Sequence, residues 1–375
     1  MNRDLLEQTL AELGQPAYRA RQVWERACAG ANSYEEMTAL PKDLRSKLAD
    51  RMPFSTLTLT RRLEARDGTI KALFHTYDGH PVESVLMRYR DARRSVCIST
   101  QSGCPLQCAF CASGQMGFRR NLSAWEIVEQ ALFFLRDLSS AEGTVQDARA
   151  RTEPGRQRRQ TAPEAGSAGR EETPARGLSN AALMGMGEPL MNLEAVLPAV
   201  RALPDLGIGL RHTAISTAGW VPGIDRLTTE GLPVKLALSL HAPDDELRRT
   251  LMPVTARFPV AEVLAACKRF YAVRRRKVLV EYLMLSGVND HREQARALTR
   301  LLNPKVFKLN LIPYNETTGA FRGSSRAAID AFRETLSKGG LETTVRVARG
   351  REIEAACGQL AGVASADSRT HTPTL

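Results

Sequence analysis

The run Ser95-Val96-Cys97-Ile98-Ser99-Thr100-Gln101-Ser102-Gly103-Cys104-Pro105-Leu106-Gln107-Cys108-Ala109-Phe110-Cys111 decides the architecture. Its first six residues read as a strand, and the loop that follows carries thiols at the spacing C-x₃-C-x₂-C. Thiolates suit soft metals, and a compact loop brings three of them around one cubane or one zinc. A structural zinc site wants four ligands, usually as two separated pairs. No fourth presents itself: Cys97 belongs to the strand, and the nearest downstream Cys and His are Cys267 and His212. Three ligands from one loop imply a 4Fe–4S cluster with one iron left open to a substrate. A loop at the carboxyl end of a parallel strand is also where barrel sites form.

Downstream, to about residue 348, strand, loop and helix repeat. Strands are expected at Ser95–Thr100, Ala181–Gly185, Thr213–Thr217, Val234–Leu240, Val278–Met284 and Phe307–Ile312, with a further one at Thr343–Val347. The first helix opens at Ser123, with Glu126 three residues on, as a capping box. Each strand is short and apolar, and enough chain separates it from the next for a crossover helix, which argues a parallel sheet. Six units are too few to close an eight-fold barrel. The expected fold is α/β, a partial (β/α)6 barrel over residues 93–348.

Upstream, residues 1–54 read as a small helical domain with basic outer faces. Leu5, Leu6, Leu10 and Leu13 form one apolar stripe; Tyr18, Val23, Trp24 and Cys28 form a second. Residues 55–92 change period: Thr56–Thr60 alternates, and Asp67-Gly68 and Asp78-Gly79 signal hairpins, so a β-meander extension is expected. One segment departs from this scheme. Residues 146–177 hold no Ile, Leu, Val, Met, Phe, Trp or Tyr but seven arginines, and are expected to be a disordered insertion. Residues 349–375 form a terminal segment with a frayed tail.

The composition sets outer limits. An apolar fraction of 43% excludes a wholly disordered chain. No run approaches the ~18 apolar residues of a membrane helix, and Met1–Gly14 is too acidic for a signal peptide. A cytoplasmic protein with no membrane partner is expected, and a monomer is the default. Seven cysteines, an odd and sparse count, argue against a secreted disulfide framework. The 52 basic against 41 acidic residues leave +11, compatible with a polyanion such as nucleic acid.

Polar motifs recur at the strand ends. Gly185-Met186-Gly187-Glu188-Pro189 ends the second parallel strand, Ser216 the third and Ser239-Leu240-His241 the fourth, while Pro313-Tyr314-Asn315 follows the sixth. Singly each has a plain alternative: Ser216 as a strand-end hydrogen bonder, His241 as a helix cap. Together, in phase with the strands, they make a cofactor clasp. The cysteine spacing and these motifs resemble the radical S-adenosylmethionine superfamily. The runs Val96-Cys97, Met184–Leu190, Leu238–Pro243, Asn310–Asn315 and Ala355-Ala356-Cys357-Gly358-Gln359-Leu360 resemble, more narrowly, its RlmN/Cfr family of RNA methyltransferases. The likeness covers nearly the whole chain; only the 146–177 insertion is long for the family.

The resemblance implies the following roles. Cys104, Cys108 and Cys111 hold the cluster, and Gly187, Glu188, Ser216, Ser239, Leu240, His241 and Asn315 bind S-adenosylmethionine. Cys357 accepts a methyl group, Cys97 releases the product through a disulfide with Cys357, and Glu83 is the proton acceptor. The implied reaction consumes two S-adenosylmethionine molecules. It methylates carbon 2 of an adenine in the peptidyl-transferase region of 23S rRNA and of the adenine beside the anticodon in tRNA. A low-potential, flavodoxin-like donor supplies the electron. Carbon 2 lies between two ring nitrogens and cannot attack a sulfonium methyl, which is why a radical route is needed. Without the resemblance, Cys97 and Cys357 would read as buried core cysteines, as Cys28 and Cys267 do, and Glu83 as a solvated strand residue. Arg349 and Arg351 would lower the Cys357 thiol's pKa if they lay beside it, and Arg119-Arg120 and Arg274–Lys277 are candidate phosphate grips. Two alternatives stay open: a Cfr-like enzyme acting on carbon 8 of the same adenine, and a non-catalytic iron–sulfur or zinc RNA-binding protein.

Overall fold

The computed structural model describes residues 1–152, 177–315, 321–347, 349–356 and 358–360, with backbone alone for 140–152 and Arg351. Three helices open the chain, α1 (Arg3–Glu12), α2 (Tyr18–Cys28) and α3 (Lys42–Arg51). Asn2 caps α1, its Oδ1 accepting from the Leu5 N–H at 3.1 Å. Leu6, Leu10, Val23, Trp24, Leu44 and Leu48 point inward and join the same continuous apolar core as the barrel. Tyr18 does not: it is 60% exposed and lies under the Arg19 guanidinium, so the second stripe begins at Val23. Trp24 docks the module, meeting Trp125 edge-on at 5.5 Å and donating from Nε1 to Asp205 at 2.8 Å.

The meander follows as β1 (Leu57–Glu64), β2 (Ile70–Thr76) and β3 (Pro81–Arg88). Gly68 and Gly79 turn its hairpins at φ of +76° and +81°, a conformation other residues resist. β3 pairs antiparallel with β4 (Arg94–Cys97), which carries the meander into the parallel sheet. Two short strands, β5 (Gln101–Ser102) and β6 (Arg120–Asn121), form a separate ribbon. The parallel strands β4, β7 (Asn180–Leu183), β8 (Thr213–Thr217), β9 (Lys235–Ser239), β10 (Val278–Met284), β11 (Phe307–Pro313) and β12 (Thr343–Val345) then neighbour one another in chain order. The result is the expected partial barrel, with β1 and β12 as the edge strands of its sheet. The first parallel strand ends at Cys97, short of the expected Ser95–Thr100; Ile98 and Thr100 still bond to Ala182, Gly185 and Met186, and Gln101 and Ser102 then pair with Asn121 and Arg120. The last is shorter too: β12 stops at Val345, and Val347 is 76% exposed.

The crossovers are helical. After the single-turn α4 (Ala112–Gln115), α5 (Ala124–Thr152) starts at the expected box: Ser123 N–H donates to Glu126 at 2.8 Å and Glu126 N–H to Ser123 Oγ at 3.3 Å. Further round lie α6 (Leu193–Ala202), α7 (Val221–Thr229), α8 (Asp245–Leu251), α9 (Val260–Arg274), α10 (Arg292–Leu301) and α11 (Arg326–Lys338). α5 continues through residues 146–152, which corrects the start expected for the insertion: Gln, Ala and Arg there are good helix formers and simply extend a helix already nucleated. The rest of that insertion, 153–176, lies outside the described residues. Among the described residues no helix is long and apolar enough to cross a membrane.

Candidate active site

The cysteine loop is stapled at its base by the β5–β6 ribbon. Gly103 sits at φ +72°, and a Cβ there would stand 1.7 Å from the Gly117 carbonyl oxygen, so only glycine lets the two ends of the loop cross. The loop's far side rests on the barrel, where the Ala109 N–H donates to the Leu251 carbonyl at 3.0 Å. Cys104, Cys108 and Cys111 border one cavity of about 860 Å³. Burial pushes the Cys104 thiol up to about 12 and Cys108 well above its usual value, with the neighbouring thiols adding to both. Among the described residues no three His, Cys, Asp or Glu side chains converge to the spacing of a single metal ion. The donors fit a larger, softer group bordered by three thiolates, whose own positive charge offsets their repulsion.

Glu188, Ser216, Ser239 and His241 line the wall opposite, each at the carboxyl end of its strand or just beyond. Glu188 is 3% exposed; its carboxylate accepts from the Ala218 N–H at 2.8 Å and the Leu190 N–H at 3.1 Å. Burial nevertheless raises it to about 7, against the pull of those donors. A carboxylate so buried, with no cation beside it among the described residues, suits a ligand ammonium. His241 is buried at φ +60°, and its Nδ1 accepts from the Leu283 N–H at 3.0 Å. Burial, then Arg248, brings the imidazole down to about 3, so it is neutral and its proton rests on Nε2. Leu240 is fully buried away from the cavity lining, its carbonyl accepting from Arg248 Nε at 3.1 Å.

The glycines of this element serve packing behind the site. A Cβ on Gly185 would stand 2.5 Å from Ser99 Oγ, and one on Gly187 (φ +98°) 2.5 Å from Gln101 Cβ. Gln101 Oε1 in turn accepts from the Glu188 N–H at 2.8 Å. The close approach is thus between the chain after β7 and the chain after β4.

A second cavity of about 670 Å³ adjoins the first; Cys111, Met184, Gly185, Ile312 and Gly358 border both. Cys97, Val85 and Met87 form one side of it, and Arg346, Arg349, Ala355 and Ala356 another. Asn315 faces this second cavity, its buried Oδ1 without a hydrogen-bond partner among the described residues. Cys357 itself lies outside the described residues. Its flanks are fastened to the cluster loop: the Ala112 N–H donates to the Gly358 carbonyl at 2.9 Å, and Ser113 Oγ donates to the Leu360 carbonyl.

Glu83 is 1% exposed, which corrects the reading of a solvated strand residue. It shares a sheet face with Val85 and Met87, since alternate strand residues point the same way. Its carboxylate pairs with Lys71 Nζ at 3.1 Å, and the same ammonium donates to the Glu354 carbonyl at 3.3 Å. Neither Lys71 nor Glu281 is singled out by motif. Glu281 lines the first cavity, accepts from Ser216 Oγ at 3.4 Å and faces Arg346 at 3.7 Å. Its signal is a lone carboxylate within Val278–Met284, as Lys71 is a lone cation within Ile70–Phe74.

Several basic residues are committed elsewhere. Arg120 is held by Asp78 at 2.9 Å and Glu126 at 2.6 Å, Arg274 donates to the Thr228 carbonyl, and Arg276 donates to the Pro233 carbonyl. Lys277 pairs with Glu342. Arg349 lies over the Tyr89 ring at 4.5 Å. Cys267 is fully buried and Cys28 partly so, and burial pushes both thiols up to about 12, as core residues behave.

A partial barrel with three thiols in the loop after its first parallel strand defines a radical S-adenosylmethionine enzyme, and the model of the Radical SAM superfamily matches residues 98–298. A second model, the ribosomal RNA large subunit methyltransferase N-terminal domain, matches residues 1–53. A Chloroflexus aurantiacus protein is 44% identical over 95% of this chain and 90% of its own length; a Thermus thermophilus protein is 41% identical over 95% and 92%. Both carry the name dual-specificity RNA methyltransferase RlmN. A crystal structure of a radical SAM methyltransferase from Sphaerobacter thermophilus superposes with a TM-score of 0.81 at 41% identity, covering 97% of this chain and 98% of that one. The chain belongs to the RlmN family of dual-specificity RNA methyltransferases.

Proposed function

We propose that this protein methylates carbon 2 of an adenine in the peptidyl-transferase region of 23S rRNA and of the adenine beside the anticodon in tRNA, with Cys357 carrying the methyl group. One observation carries the reading: two cavities share a wall, one bordered by three thiols and a buried carboxylate, the other by Cys97 and the residues flanking Cys357. Cys104, Cys108 and Cys111 would hold the 4Fe–4S cluster. Glu188 would accept the amino group of S-adenosylmethionine, Gly187, Ser216, Ser239 and His241 would line its site with Asn315 in the adjoining cavity, and Leu240, buried away from the lining, would not touch it. Cluster and cofactor, when bound, supply a methyl group and, on one-electron reduction by a flavodoxin-like donor, a carbon radical.

The chain's own residues do the rest. Cys357 as thiolate takes the methyl group; that carbon, after giving one hydrogen atom to the radical, bonds carbon 2 of the adenine. Glu83, fixed by Lys71, accepts the proton from carbon 2, and the odd electron left on the ring would pass back to the cluster. The Cys97 thiolate then attacks sulfur at Cys357; an S–S bond forms and the S–C bond breaks. The released pair on carbon takes up a proton and completes the methyl group.

The test is anaerobic turnover of the reconstituted chain on rRNA fragments, with digestion and identification of the methyladenosine isomer. The 2-methyl isomer is expected. An 8-methyl product would mean Cfr-like regiochemistry, and absence of any 5′-deoxyadenosine would defeat radical chemistry altogether. Cys97→Ala is expected to trap a covalent RNA–protein adduct on denaturing gels; recovery of free RNA alone would refute the roles given to the two thiols.

A further inference from the structure

The largest fully buried side chain is a cation. Arg248, on α8, has no exposed surface. Its guanidinium donates from Nε to the Leu240 carbonyl at 3.1 Å and from Nη1 to Thr255 Oγ1 at 2.9 Å. Nη2 donates to the Ala218 carbonyl at 2.5 Å and the Ser239 carbonyl at 3.2 Å. All four acceptors are neutral, and among the described residues Arg248 makes no ion pair. Arginine is almost never fully buried unless paired. Asp245, three residues before it on α8, is turned to the Val260 N–H at 2.6 Å.

The position of the fork is informative. Ala218 and Ser239 follow or end β8 and β9, the strands that present Ser216 and Ser239 to the first cavity. The guanidinium thus ties two strand ends together from behind. The same helix reaches the cysteine loop, because Leu251 at its end accepts from the Ala109 N–H next to Cys108. Gly219, at φ +99°, lies beside it: a Cβ there would stand 2.9 Å from Val263 Cγ2 and 3.3 Å from Arg248 Nη2. Electrostatics agree with this placement. Burial pulls the guanidinium down to about 10, as befits a cation buried with no ion pair among the described residues.

We infer that Arg248 is a positioning residue for the radical reaction: it ties the ends of β8 and β9 behind the cysteine loop and supplies the buried positive charge that three clustered thiolates require. The inference rests on the function proposed above. It follows that the charge makes the bound cluster easier to reduce, because reduction adds a further negative charge beside a fixed cation. The fork, distinct from the charge, sets the strand ends that grip S-adenosylmethionine.

Full-length Arg248→Gln and Arg248→Lys, reconstituted anaerobically, separate charge from fork. Iron and sulfide content, the cluster's midpoint potential by EPR-monitored titration without RNA, S-adenosylmethionine affinity, and melting of the unreconstituted chain are measured. For Arg248→Gln the reduction equilibrium is expected to fall about tenfold, which is 59 mV for a one-electron couple. Arg248→Lys is expected to keep the parental potential while binding S-adenosylmethionine about tenfold more weakly. A full cluster at the parental potential in Arg248→Gln would overturn the inference. So would loss of iron from both variants, since charge would then not suffice, or melting of both far below the parent, which would make the residue merely structural. These outcomes leave RNA methylation standing; a parent chain that assembles no cluster would instead defeat the proposed function itself.

Discussion

Replacing Lys71 by Met strips the ammonium from beside Glu83 with an unbranched side chain only one atom shorter. At 3.1 Å the pair is worth 332/(20 × 3.1), or ~5 kcal/mol, at an effective dielectric of ~20. Desolvation of both ions offsets part of that in the parent, but in the variant the carboxylate stays buried without its ammonium. Breaking a buried pair in this way costs ~3–5 kcal/mol. The Glu354 carbonyl also loses its donor, for ~1 kcal/mol more. At ~2.1 cal/mol/K per residue, 375 residues unfold with an entropy of ~0.8 kcal/mol/K, so a loss of ~4–6 kcal/mol should lower the melting temperature by about 5–8 °C. Melting of Lys71→Met, Glu83→Leu and the double variant, scanned at one rate, is the assay. The double variant should recover most of the loss, because an apolar pair of similar volume is nearly neutral in place of a buried ion pair. If Lys71→Met melts with the parent, or the double variant is no better than the single, the pair does not hold this part of the site. Activity adds a second readout: methylation by Lys71→Met should fall far more than its stability accounts for, because the same ammonium also fixes the segment three residues before Cys357.

Two further outcomes follow from the site's geometry. Gly187→Ala forces a Cβ onto Gln101 and should cost ~1–3 kcal/mol; because Gln101 orients Glu188, S-adenosylmethionine binding by calorimetry should weaken about tenfold while iron content stays parental. His241 is held neutral to about pH 3, whereas the unfolded chain takes up a proton near pH 6.5. Between those values the unfolded state binds more protons, so stability is full above 6.5 and falls as pH drops, by up to ~1.4 kcal/mol per unit. In His241→Asn, which tolerates the left-handed backbone and can still accept from Leu283, that slope should vanish from urea midpoints taken at pH 7 and 5. A slope unchanged by the substitution would show that another group sets it.

Local grammar determined a good deal of this protein. A strand followed by three spaced thiols, turn dipeptides at Asp67-Gly68 and Asp78-Gly79, the Ser123–Glu126 box and apolar runs such as Val278–Met284 each specify their element through neighbours in the chain. The open barrel followed from counting them. What sequence alone left undecided depends on contacts between residues far apart. Arg248 looks like any helix arginine until α8 folds it behind β8 and β9. Lys71 and Glu83 look like solvated strand residues until the terminal segment covers them. Gly187 reads as room for a ligand until the chain after β4 is seen to occupy that room. Burial is the reason in every case: the same side chain is inert in water and a fixed charge or a steric stop in the interior, and only the tertiary structure decides which side chains are buried.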